Sequence, residues 1–272
     1  MSEQDLLKQL QSLNIDTTGI INSSNITNVD RMKVAVCGKT KTGKSYGVAK
    51  GARKPLLHYD FDDRKESIAG LQDVFIKTLV DIDDMHPTAW AVLESDTTTY
   101  EYLAKKGQMP FASVALDSIQ FLRKYAEHQM LKDANHITRT RAKIGVTEYL
   151  IPKDWDAVSC IQKMLETMLS RWFSMGIDVY AMFHTRPEKD IQKSTKTETV
   201  YKDTLTVDPP NLIMLLPKFN DVWQTKFDDG RYVFQLKPNW EFNAATVLRG
   251  VKDIEEADIQ ALLAKHHKNG RP

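Results

Sequence analysis

The chain has 272 residues, 42% of them hydrophobic and 27% charged, with a formal net charge of +1 at pH 7. That length bounds it to one large α/β domain or a domain with a small appendage, and the composition excludes a chain dominated by disorder. No apolar run approaches the ~18 residues that a membrane crossing needs, and the start, MSEQDLLKQLQSLNID, lacks the plan of a secretory leader.

The first 30 residues read as an appendage, with an amphipathic helix over Gln4–Leu13 and then a polar link. From Met32 short apolar strand-like runs alternate with helix-like runs, the pattern of a mostly parallel α/β sheet flanked by helices. The first strand, Lys33–Cys37, leads into Gly38-Lys39-Thr40-Lys41-Thr42-Gly43-Lys44-Ser45, and a helix is expected over Lys44–Ala52. The stretch matches G-x-x-x-x-G-K-[ST] at every defined position, in the strand-to-helix setting that the motif requires. Glycines let successive backbone N–H groups turn inward onto phosphate oxygens, and the helix N-terminus adds its positive dipole end. Lys44 then serves the β- and γ-phosphates and the Ser45 hydroxyl serves Mg²⁺, so binding of a nucleoside triphosphate is expected.

The next strand, Pro55–Phe61, ends in LHYDFDD and offers Asp60, Asp62 and Asp63. Asp62 is the favoured carboxylate for orienting an attacking water, and Asp60 is the second. A strand over Val74–Ile82 and a helix over Thr88–Lys106 follow. Then FASVALDS closes the strand Ser113–Asp117 on a carboxylate. Burying that charge costs desolvation unless it meets a cation, so Asp117 is expected to hold Mg²⁺; the alternative is a cap on the helix Ile119–Met130. Lys132–Lys143 and Arg186–Lys202 read as charged loops, with the longest helix, Asp154–Met175, between them. The strand Asp178–His184 sets His184 where it would sense the γ-phosphate and pass that state to the following loop.

Runs over Asp221–Phe227 and Arg231–Leu236, joined by Asp-Asp-Gly, read as an antiparallel hairpin, and a helix over Asp253–His266 precedes a basic tail. The expected division is therefore an appendage over 1–30, a core over 31–252 and a terminal helix with its tail over 253–272. Cys37 and Cys160 both lie in apolar segments and read as buried, reduced thiols.

With GKTKTGKS, LHYDFDD, SVALDSIQFL and AMFHTRPEKD in this order, the chain resembles the RecA-like P-loop ATPases. Among them it is similar to phage-encoded AAA-domain proteins associated with single-strand annealing and recombination, over roughly Lys33–Gly250. The resemblance implies a RecA-like core with a C-terminal antiparallel hairpin, binding ATP and Mg²⁺ over Gly38–Ser45. It makes Asp117 the metal carboxylate and puts Asp62 where the family carries a catalytic Glu, one methylene longer. His184 falls where RecA has a Gln that reads the γ-phosphate.

The resemblance further implies an oligomer that binds single-stranded DNA, works with phage recombination or replication proteins, and resides in the host bacterial cytoplasm. Lys132, Arg139, Arg141, Lys143 and Arg186 are the candidates for DNA phosphates, with Tyr149 and Trp155 for base stacking. Lys237 and Arg249 are candidates for a charge given across a subunit interface. Two other readings stay open: a P-loop small-molecule kinase, and a nucleotide-gated interaction module with little turnover.

Overall fold

Strands made almost wholly of buried residues need cover on both faces, and the interior of this sheet is built from them. In β1 (Lys33–Gly38), Val34 and Val36 face one apolar core while Ala35 and Cys37 face another, as the two-residue period of a strand requires. β2 (Leu56–Asp60) and β4 (Ser113–Asp117) are buried along their whole length. With β3 (Val74–Thr78), β7 (Asp178–Lys189) and β9 (Asp221–Asp228) these strands pair in parallel. The chain is described as a computed structural model over residues 31–83, 86–133, 139–144, 147–152, 155–189 and 201–269, without the side chains at 139–157, 189, 201–204 and 269.

The parallel order is β9-β1-β7-β4-β2-β3. β10 (Arg231–Gln235) and β11 (Ile254–Glu256) extend it in antiparallel fashion beyond β9, while β8 (Tyr201–Val207) pairs with the outer part of β7. The larger core is covered by α2 (Ala89–Lys105), α3 (Ile119–Asp133) and α4 (Trp155–Ser174), through side chains such as Leu93, Leu122 and Leu165. Trp172 of α4 is fully buried and meets Tyr59 and Tyr100 with ring centroids 5.9 Å away in each case. The opposite face is covered by α1 (Lys44–Gly51) and α5 (Ile259–Asn269), through Val48, Ala49, Ile259 and Leu262. The fold is thus α/β, a mostly parallel mixed sheet flanked by helices with antiparallel strands at its C-terminal end.

Several sequence expectations are corrected. β3 stops at Thr78 because Asp81 is drawn into capping α2, its Oδ1 accepting the N–H groups of Thr88 and Ala89 at 2.8 Å each. The last helix begins only at Ile259, since Ile254–Glu256 pairs with β10 as β11. Of the two segments read as loops, Lys132 lies in the last turn of α3, and Arg139–Ile144 forms β5 against β6 (Thr147–Pro152). Arg186 lies inside β7, which runs to Lys189 because β8 returns along it. Cys37 is buried, with burial pushing its thiol up, whereas Cys160 is exposed; both are free. The Gln4–Leu13 helix lies outside the described residues, as do 134–138 and 190–200.

Candidate nucleotide site

The loop between β1 and α1 closes through small residues because its surroundings leave no room for larger ones. A Cβ on Gly38 would stand 2.2 Å from Thr225 Oγ1, and one on Gly43 would stand 2.5 Å from the Tyr232 ring. Gly43 also takes φ +80, a left-handed conformation that side chains disfavour. Thr42 Oγ1 donates to the Lys39 carbonyl at 2.8 Å and shares a 2.7 Å hydrogen bond with Thr225 Oγ1, bracing the loop against β9. Gly43 caps α1 without a side-chain hydrogen bond, so the first N–H groups of that helix face the loop. Lys39, Thr40 and Lys41 form its exposed rim.

Lys44 is buried and curls back, with Nζ donating to the carbonyls of Gly38 at 2.9 Å and Lys39 at 2.8 Å. Burial lowers its ammonium to about 8, against the pull of Asp117, Cys37 and Asp62, so most of the charge persists at pH 7. Sheet register brings the remaining groups together: Gly38 sits opposite His184 and Asp60 opposite Asp117. Because β7 lies between β1 and β4, His184 stands between the loop and Asp117, with Nδ1 3.4 Å from Lys44 Nζ. Burial and the Lys44 charge push the imidazole down to about 4, leaving it neutral.

The Ser45 hydroxyl donates to Asp117 Oδ2 at 2.5 Å. Burial alone would raise the Asp117 carboxyl, but hydrogen bonding and charge from His58, the Ser45 hydrogen bond and the Lys44 charge hold it below the usual range. Adjacent oxygen ligands of an octahedral Mg²⁺ lie about 3 Å apart, so the Ser45 hydroxyl and the Asp117 carboxylate, in contact, form a donor pair that such an ion would fit. Among the described residues no group of three or more His, Cys, Asp or Glu is placed to hold a metal ion by itself.

Asp62 and Asp60 have different roles. Asp60 accepts the N–H groups of Asp62 and Arg64 at 3.2 Å each and so shapes the loop. Asp62 lines the cleft, and burial, then the nearby Asp117 charge, raise its carboxyl from 3.8 to about 7 despite Arg64. The cleft measures about 990 Å³ and is lined by Lys44, Ser45, Asp62, Asp117 and His184, within the range of small-molecule sites.

Three contributors were missed in the sequence. His58 Nε2 lies 3.4 Å from Asp117 Oδ2. Its place two residues before Asp60, on the same face of a buried strand, was the available signal. Gln120 Nε2 donates to the carbonyls of His184 at 3.2 Å and Asp208 at 2.5 Å, tying α3 to the start of the β7–β8 arm. Arg64 lines the cleft, a placement that no spacing rule reveals.

Of the nucleic-acid candidates, Lys132 and Arg186 have described side chains, and neither lines this cleft. Arg139, Arg141 and Lys143 occupy alternate positions of β5, Lys132 Nζ donates to the Pro87 carbonyl at 3.4 Å, and Arg186 pairs with Asp208 at 3.0 Å. Tyr149 is in β6 and Trp155 opens α4. Lys237 is ion-paired with Asp253 at 2.7 Å, and neither it nor Arg249 lines the cleft. No protein-family model matches this chain, and no curated protein shows significant similarity to it.

Proposed function

We propose that the protein is an Mg²⁺-dependent ATPase of RecA-like fold, oligomeric and cytoplasmic, that couples nucleotide state to binding of single-stranded DNA in phage recombination or replication. The observation that carries the ATPase reading is the convergence of Lys44, Ser45, Asp62, Asp117 and His184 on one cleft at the mouth of a phosphate-binding loop.

In this reading the Gly38–Ser45 backbone cradles the phosphates, and Lys44 exchanges its bonds to the Gly38 and Lys39 carbonyls for β- and γ-phosphate oxygens. Ser45 and Asp117 would hold Mg²⁺, which supplies positive charge to the triphosphate when bound. Asp62 accepts a proton from the attacking water, and its raised carboxyl suits that task near neutral pH. Water oxygen bonds to the γ-phosphorus, and the bond to the β–γ bridging oxygen breaks with its electron pair on ADP. Neutral His184 senses loss of the γ-phosphate, and its backbone carbonyl, held by Gln120, transmits the change to the β7–β8 arm. The basic positions of β5 favour phosphate contacts over base reading.

The test is steady-state ATP hydrolysis with and without single-stranded DNA, alongside Lys44→Ala. Turnover that rises with DNA and vanishes in the variant is expected. ATP binding without turnover would instead favour a nucleotide-gated interaction module, and phosphoryl transfer to a small acceptor would favour a kinase.

A further inference from the structure

The loop after β2 places a guanidinium at the same cleft. Arg64 has its backbone N–H anchored on Asp60 Oδ1 at 3.2 Å, and Asp60 is itself buried at the end of β2, one strand in from the edge of the sheet. Its backbone is therefore held while its side chain, 63% exposed, retains freedom to move. The guanidinium rests 3.6 Å from Asp62 Oδ2, beyond hydrogen-bond range, in a loose ion pair with a carboxylate that is only 6% exposed. A pair at this distance with one partner in solvent is weak, and the exposed guanidinium can leave it for a stronger anion.

We propose that Arg64 is a phosphate-contacting residue acting within its own protomer, which leaves Asp62 for the γ-phosphate when a triphosphate enters. This rests on the ATPase reading above and adds to it the source of the stabilising charge.

Two observations set the direction of the movement. Arg64, Lys44 and His184 line the same cleft, and in the ATPase reading above His184 marks the γ-phosphate end. Arg64 also acts directly on Asp62, opposing the rise of its carboxyl. Departure of the guanidinium therefore does two things at once. It brings a bidentate donor to the oxygens that gain charge as the bridging bond breaks, and it leaves Asp62 a better acceptor for the water proton. Lysine could supply the charge but not the planar fork. A diphosphate offers no γ-oxygens, so Arg64 stays on Asp62 and contributes little to ADP affinity.

The experiment is calorimetric titration of Mg-ATP and Mg-ADP into wild type, Arg64→Ala, Arg64→Lys and Lys44→Ala, with turnover and thermal midpoint measured in parallel. Arg64→Ala should weaken ATP binding by about tenfold, leave ADP within about twofold, and lower turnover by at least about a hundredfold. Arg64→Lys should recover most of the ATP preference but little of the turnover, and because the side chain is exposed both variants should melt with wild type. An Arg64→Ala protein with the wild-type ATP-to-ADP preference overturns the proposal, whatever its turnover. A wild type that binds neither nucleotide overturns the ATPase reading itself, and Lys44→Ala separates the cases by losing both nucleotides.

Discussion

Asp62 carries a carboxyl in a place that disfavours its charge, and this has a measurable consequence for stability. Its proton is held more tightly in the folded chain, at about 7, than at the ordinary 3.8. The stabilisation is therefore fully present below pH 4 and is lost as pH rises through about 7. Asp62→Asn removes the penalty, so in Mg²⁺-free buffer at pH 8 the variant should be more stable by on the order of 1 kcal/mol after screening, a midpoint ~2–4 °C higher. The gain should shrink on acidification to pH 4 in a thermal-melt series, while turnover falls. Gly43 poses the opposite case. Gly43→Ala would place a methyl group against the Tyr232 ring at a left-handed φ. It should cost about 1–3 kcal/mol of stability and at least about tenfold in nucleotide affinity, read by melting and titration.

At the scale of elements, the cover of the sheet and the link to the β7–β8 arm can be probed separately. Trp172 anchors α4 against β2 and α2, so Trp172→Ala should lower the free energy of unfolding in urea by about 3–5 kcal/mol. Gln120→Ala removes the donor shared by the His184 and Asp208 carbonyls. It should leave ATP affinity within about twofold of wild type while reducing any change in DNA affinity between ATP and ADP, since Gln120 does not line the cleft. The elements themselves were largely legible: Ser113–Asp117 has its expected bounds, and α1 begins where the motif placed it. The errors fell where pairing partners are distant. Arg139–Ile144 is polar and reads as a loop until β6 pairs with it, and β7 outruns its apolar stretch because β8 returns alongside. Ile254–Glu256 reads as the start of a helix until the exposed edge of β10 takes it into the sheet.

For the whole molecule, the proposed coupling depends on the basic residues of β5. Neutralising Arg139, Arg141 and Lys143 together should weaken single-stranded DNA binding and reduce the slope of log affinity against log salt by about 2, with basal ATP hydrolysis unchanged. An unchanged slope in a salt series would remove these positions from the interface. Among the described residues no helix is long and apolar enough to cross a membrane. The sequence by itself determined the Gly38–Ser45 loop between strand and helix, the apolar runs of the central strands and the chemical types available at their ends. These are local properties: motif spacing, periodicity and the desolvation cost of an acid at the end of an apolar run. Tertiary structure decided the order β9-β1-β7-β4-β2-β3, which places His184 between Lys44 and Asp117 and seats His58 beside that carboxylate. It also decided that Asp60 shapes the loop whereas Asp62 and Arg64 enter the cleft. Those outcomes follow from strand order and register, which are set by burying both faces of the sheet at once, a condition that no single stretch of sequence contains.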